Sequence, residues 1–260
     1  MWILVLEGLL IGCLLGLTGA GGGILAVPVL MTSQGWSVAQ AAPIGLLAVT
    51  LSACIGMLQG LIKQIVRYKA ALWIALISIP AAKYGLYLAK EIPALWLTLG
   101  FSLIMFWIAY RLLSNKISDF ENAPCKVDQA TGRFIWNFRA ATILGGIGLV
   151  AGLMTGLLGV GGGFVIVPGL RKTTDLDMKS IVATSLMVIF LIGGISITIN
   201  ILEGFHYPAN VTLSFVLACI LGMLIGRKIM TFVSIQKVQT IFAIALIFVA
   251  SYLIYSIKQS

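Results

Sequence analysis

The chain has 260 residues, of which 60% are hydrophobic and 10% are charged, and its mean hydropathy is +1.09. A soluble domain carries roughly 25% charged residues, so this composition excludes a water-soluble globule. The net charge of +9 does not indicate a nucleic-acid partner, because Lys and Arg lie mostly in short connections between apolar stretches, as in the cytoplasmic loops of membrane proteins.

The apolar residues fall into eight stretches, and each has at least the ~20 residues that cross the ~30 Å hydrocarbon core of a bilayer. The stretches are 3–31, 38–62, 70–89, 94–113, 140–170, 179–202, 208–230 and 238–257. We therefore predict an all-α polytopic membrane protein whose surroundings are the lipid bilayer.

The first and fifth stretches repeat one glycine-rich segment. Residues 8–30 align without gaps on residues 148–170, and 12 of these 23 positions are identical. The same order of apolar stretches follows in both halves. Self-similarity of this kind predicts two copies of one unit, here 1–113 and 140–260, joined by a polar linker at 114–139.

Each glycine-rich segment interrupts its apolar stretch with a triplet, which is Gly21, Gly22 and Gly23 in the first copy and Gly161, Gly162 and Gly163 in the second. Each glycine inside a helix costs roughly 1 kcal/mol relative to alanine, so the triplets predict breaks. The stretch is then either one broken helix that crosses the membrane or a re-entrant hairpin that enters and returns.

The distribution of basic residues separates these alternatives. If both stretches cross, Lys and Arg divide 9 against 8 between the two sides; if both are hairpins, they divide 14 against 3. The positive-inside rule favours the second arrangement. Each half then has one hairpin and three spans, so the second half is inverted. We predict two inverted repeats with six full spans, both termini outside, a cytoplasmic linker and a location in a bacterial inner membrane.

Interrupted helices at matching positions of inverted repeats indicate the central site of a transporter. The helices that begin at Ile24 and Phe164 would direct free N–H groups and positive dipole ends at an anion. Alternatively, the glycines only permit close helix packing. The first reading makes both glycine triplets, Ile24 and Phe164 substrate-binding residues.

The sequence resembles the TauE/SafE sulfite exporter family. The resemblance rests on the paired glycine triplets with Pro28 and Pro168, on Ala183-Thr184-Ser185-Leu186, and on the four-plus-four layout. It implies transport of a sulfur-containing anion such as sulfite, thiosulfate or an organosulfonate. The first half has Pro43-Ile44-Gly45-Leu46 at the position of Ala-Thr-Ser-Leu, so a hydroxyl contribution would come from one side only.

Other polar residues have two interpretations each. Thr184 and Ser185 would bind anion oxygens or bond back to their own helix. Lys83 would attract an anion within the membrane or extend to the interface. Thr18 is a further candidate for the cavity wall, and Glu7 is either a proton carrier or a helix cap.

We therefore predict a transporter that exports a small sulfur-containing anion by alternating access. The alternative is a transporter or channel for a different small solute or ion. No metal site, cofactor or enzyme activity is predicted, because the apolar stretches hold no His, Cys, Asp or Glu cluster and no catalytic motif.

Overall fold

The computed structural model describes residues 2–19, 21–114, 125, 137–230 and 235–259, and these residues form ten helices. The helices are α1 (Trp2–Thr18), α2 (Gly21–Gln34), α3 (Val38–Ile62), α4 (Tyr68–Glu91), α5 (Ala94–Ser114), α6 (Phe138–Leu158), α7 (Gly163–Thr173), α8 (Met178–Leu202), α9 (Ala209–Ile229) and α10 (Ile235–Gln259). The fold is all-α over the described residues, as predicted.

Seven helices in the described ranges are long and apolar enough to cross a membrane, namely α3, α4, α5, α6, α8, α9 and α10. The sequence predicted six spans, and all six are among these. The additional candidate is α6, which has 21 residues, whereas its counterpart α1 has 17. The length of α6 would allow it to cross the membrane. However, the start of α7 lies beside α6, as in a hairpin that returns to the side it entered from.

Both glycine segments reverse the direction of the chain. A Cβ on Gly22, near the start of α2, would lie 2.3 Å from the carbonyl oxygen of Ile11, which is inside α1. A Cβ on Gly162 would lie 2.7 Å from the carbonyl oxygen of Ala151 in α6. In one continuous helix, residues 11 apart would be ~16 Å apart along the axis. The segments are therefore hairpins rather than kinked single helices.

The equivalence of the two halves extends far beyond the glycine segments. Helices α3 and α8 begin and end 140 residues apart, and they pack against each other. Gly193 lies against Thr50 and Gly60 lies against Ala183, so residue numbers rise along one helix as they fall along the other. The two helices are antiparallel. An inverted repeat requires this relation between corresponding helices that pack side by side.

Two long helix pairs hold the halves together. Helix α1 packs along α9, and its counterpart α6 packs along α4. A Cβ on Gly12 would lie 2.0 Å from the Cys219 carbonyl oxygen, and one on Gly152 would lie 2.2 Å from that of Ser78. Small residues let helix backbones approach closely in membrane proteins, and the repeated glycines of α1 and α6 have this use.

The ends of the helices are also joined across the halves. The Nζ of Lys90, at the end of α4, lies 2.7 Å from the Oε2 of Glu203, which follows α8. At the other end, the Arg227 guanidinium of α9 donates to the Gly56 carbonyl of α3. Most Lys and Arg of the described chain belong to this second end, which we call the basic end.

Candidate functional site

The two hairpin tips are in contact inside the molecule. A Cβ on Gly23 would lie 2.4 Å from the carbonyl oxygen of Val160 in the other tip. Gly19 lies against Val182 of α8, and Gly159 lies against Ala42 of α3. Since 42 and 182 also differ by 140, each tip is held by the corresponding helix of the other half.

The second tip needs glycine for two separate reasons. Gly161 and Gly162 have φ of +74° and +64°, a region that other residues adopt at a cost. The place of a Cβ on Gly162 of this tip is already occupied by protein atoms, as it is on Gly22 and Gly23 of the first hairpin. The space around these glycines is therefore filled by neighbouring backbone. Of the two interpretations from the sequence, this geometry corresponds to close helix packing rather than to direct contact of an anion with the glycines.

Two hydroxyl groups of α8 bond to neighbouring segments, and one of them holds the first tip. Ser185, which is fully buried, donates from its Oγ to the Gly19 carbonyl oxygen at 2.9 Å and also contacts that of Val182. The Oγ1 of Thr184, also fully buried, accepts the Arg67 backbone N–H at 3.0 Å. Both hydroxyls are engaged in bonds between segments that pack together, and neither lines the cavity described next.

A cavity of about 430 Å³ lies beside the tips. Its walls come from the end of α1, the last turns of α5, the middle of α6, the first two turns of α7 and the start of α10, with Met178 and Met230 beside them. The volume is in the range of small-molecule pockets. Most of the wall is apolar, and its polar side chains are Thr18, Arg111 and Gln239. The cavity extends from the tips toward the basic end.

Among the described residues that line the cavity, Arg111 carries the positive charge. Its guanidinium carbon lies 5.2 Å from the centre of the Trp107 ring, one turn earlier on α5. Stacking of this kind holds a guanidinium in place without neutralising it. Within the described part of the chain, no carboxylate pairs with Arg111. A half-buried cation in an apolar wall favours an anionic ligand.

The structure separates the predicted site residues into groups. Thr18 and Phe164 line the cavity, although the Thr18 hydroxyl also donates to the Leu14 carbonyl at 2.8 Å. Gly21, Gly22, Gly23, Ile24, Gly161, Gly162 and Gly163 form the tips and the first turns of α2 and α7. Lys83 is exposed on α4 and does not line the cavity.

Sequence reasoning missed Arg111, because it was counted with the loop cations that orient the protein. The signal for it was present, since Arg111 comes three residues before the end of α5, inside an apolar helix. No group of His, Cys, Asp and Glu that would hold a metal occurs among the described residues.

Comparison with known proteins identifies the family. A sequence model of the family described as "Sulfite exporter TauE/SafE" matches residues 4–253. The chain belongs to the TauE/SafE family. This assignment confirms the resemblance seen in the glycine segments and makes the protein a membrane transporter.

Two relatives that match nearly the whole chain are named as transporters. The chain is 29% identical over 271 residues to the probable membrane transporter protein YunE of Bacillus subtilis strain 168, covering 97% of each protein. It is 29% identical over 254 residues to a probable membrane transporter protein of Xylella fastidiosa strain 9a5c, covering 96% of this chain and 93% of that one. No solved structure matches the chain.

Proposed function

We propose that the protein exports a small sulfur-containing anion by alternating access between its two halves. The observation that carries this proposal is the cavity, which extends from Arg111 near the basic end to the first turn of α7 at the hairpin tips. An anion attracted by Arg111 would move inward along this path. The family to which the chain belongs contains sulfite exporters by its description.

The deep end of the path also favours an anion. Phe164 and Val165 belong to the first turn of α7 and line the cavity. The Val165 N–H already donates to the Gly162 carbonyl oxygen at 3.0 Å, so this turn favours an anion through the partial positive charge that the helix dipole places there. We propose that the anion rests against this turn and the Thr18 side of the opposite hairpin before the molecule opens to the other side.

The direction of transport follows from the proposed orientation. By the positive-inside rule, the basic end faces the cytoplasm, so the cavity is open to the cytoplasm and both termini lie outside. The membrane potential of a cell then favours exit of an anion by about 2.3 kcal/mol per charge per 100 mV. Export of an anion therefore requires no additional source of energy.

The cavity wall favours an organosulfonate among the sulfur-containing anions. Sulfite and thiosulfate are small and polar over their whole surface, and they gain nothing from apolar contacts. A sulfonate with a carbon body would place its charged group near Arg111 or the α7 turn and bury its carbon atoms against the wall, at ~25 cal/mol per Å² of apolar area. A different small solute or ion remains the competing hypothesis.

The proposal is tested by flux into proteoliposomes under an imposed potential. The panel contains sulfite, thiosulfate, sulfoacetate and taurine beside chloride, phosphate and nickel. We expect saturable flux of a sulfur-containing anion that increases with the potential. Steady conductance in a planar bilayer would indicate a channel, and movement of another solute without any sulfur anion would overturn the proposed substrate class.

A further inference from the structure

The two halves differ in how tightly their second helices are packed. In α7, Val165 and Val167 line the cavity and are half-buried. Their counterparts in α2, 140 residues earlier, are Leu25 and Val27, which are 4% and 0% exposed. Helix α2 packs against α10, the counterpart of α5. The structure is therefore open beside α7 and closed beside α2.

The closed half contains an acid where the open half has an apolar residue. Ile147 lines the cavity, and the residue 140 positions earlier is Glu7. Glu7 and Ile147 also occupy equivalent places in the structure. The residue after Glu7, Gly8, faces α9, and the residue after Ile147, Gly148, faces the corresponding helix α4. In the other state of the cycle, the first half would open beside α2 and the second half would close beside α7. The cavity would then lie at the end opposite the basic end, and Glu7 would be exposed in it.

The carboxyl group of Glu7 is poorly satisfied in the closed half. The side chain is half-buried and bonds to Ser33 of α2, whereas its Oε2 is buried and has no hydrogen-bond partner. A buried carboxylate oxygen without a partner carries a desolvation cost that a bound proton would relieve. Hydration after opening would remove this cost and favour release of the proton.

The neighbouring elements bring few charges to this end. Helices α2 and α3 contain no charged residue, and the charges of α9 are at its basic end. The titratable residues of the described side chains at this end include Lys90 and Glu203, which pair with each other, and His206, Tyr207, Tyr252 and Tyr255. Burial raises the pKa of the Tyr207 phenol, so it stays neutral near pH 7. Within the described residues, no cation forms a salt bridge with Glu7.

We propose that Glu7 is a proton-binding site of the transport cycle, half-buried in this state and fully open to the side opposite the cavity in the other state. This inference rests on the proposed function. A proton-binding Glu7 would assist release of the anion, because the ionised carboxylate would repel the anion that Arg111 had attracted. The counterpart of Arg111 is Ser251, so the second cavity would replace a cation by an acid.

The first test uses right-side-out and inside-out membrane vesicles, which fix the side of the solution. Anion flux of the wild-type protein should respond to pH on the side opposite the cavity. Glu7→Gln cannot release a proton and should lose this response. The control is Glu91→Gln, at an exposed carboxyl at the end of α4, which should keep the wild-type response. Retention of that response in Glu7→Gln would overturn the proposal.

A second measurement does not depend on transport. Infrared spectra of the purified protein at neutral pH should show the C=O stretch of a protonated carboxyl, absent from Glu7→Gln and present in Glu91→Gln. Identical spectra for all three proteins would contradict a protonated Glu7. If the wild-type protein moves no anion of the panel, the proposed function fails, whereas the infrared result still decides whether Glu7 holds a proton.

Discussion

Individual glycines show what the sequence could and could not reveal. The triplets at 21–23 and 161–163 lie at the two helix breaks, but α2 begins at Gly21 and α7 at Gly163, earlier than the predicted starts at Ile24 and Phe164. Whether the freed space admits a ligand or a neighbouring backbone depends on what lies opposite in three dimensions. The structure places the Ile11 carbonyl opposite Gly22 and the Val160 carbonyl opposite Gly23. The identity of these opposing backbone atoms cannot be predicted from the sequence, because it depends on how the chain folds back on itself.

We expect Gly22→Ala to destabilise the protein and to abolish flux. The added Cβ would meet the Ile11 carbonyl oxygen at 2.3 Å, and overpacking of this kind costs ~1–3 kcal/mol or more. The first hairpin would have to separate. Gly194→Ala is the matched control, because nothing lies within 4 Å of its added Cβ. Thermal unfolding in detergent, measured beside flux, checks both; a Gly22→Ala protein with wild-type stability would contradict the packing described for this hairpin.

Arg111 and Glu7 mark the limit of residue-level inference from sequence. Arg111 was interpreted as a loop cation and Glu7 as a helix cap or proton carrier. Their assignment here depends on neighbours that are distant in the chain. Arg111 faces α7 across the cavity, and Glu7 occupies the position equivalent to Ile147 in the closed half. Neither relation follows from spacing along one helix.

At the scale of helices, the spans predicted from hydropathy occur at nearly the predicted places. The stretch 38–62 coincides with α3, and 94–113 differs from α5 by one residue at its end. Pairing was not predictable, because glycines at positions 8, 12 and 16 indicate a close contact without naming the partner. The partner is α9 for α1 and α4 for α6.

We expect Gly152→Ala to weaken the α4–α6 pair. Its Cβ would meet the Ser78 carbonyl oxygen at 2.2 Å, so the helices must move apart and lose contacts along their length, at ~1–3 kcal/mol. Gly100→Ala in α5 meets nothing within 4 Å and should leave the unfolding temperature unchanged or slightly higher. Equal unfolding temperatures of the Gly152→Ala and wild-type proteins would show that this contact is not close in the membrane.

At the scale of the whole molecule, charge and repetition together predicted the arrangement. The hairpin hypothesis rested on the 14 against 3 division of Lys and Arg. The structure adds that α3 and α8 are antiparallel and that Lys90 and Glu203 pair at one end. Parallel repeats would place those residues at opposite ends. The cavity was not predictable, because it results from unequal packing of two halves with similar sequences.

Topology is tested by single cysteines placed in a cysteine-free background. Lys69 and Gly204 are exposed and lie at opposite ends of the helices. With a thiol reagent that does not cross membranes, added to intact cells, Gly204→Cys should react and Lys69→Cys should not. After the cells are opened, both should react. Labelling of Lys69→Cys alone in intact cells would reverse the orientation and place the cavity on the outer side.

In the proposed mechanism, Arg111 is the residue that receives the anion from the basic end. The decisive measurement is the concentration dependence of sulfur-anion flux in the wild-type protein, in Arg111→Gln and Arg111→Lys, and in Lys172→Gln, which removes an exposed cation from the basic end. Loss of a charged contact of ~1.5–3 kcal/mol should raise the half-saturating concentration about ten- to hundred-fold in Arg111→Gln. Arg111→Lys should fall between it and the wild type, and Lys172→Gln should match the wild type. Equal half-saturation in the wild-type and Arg111→Gln proteins would contradict the account.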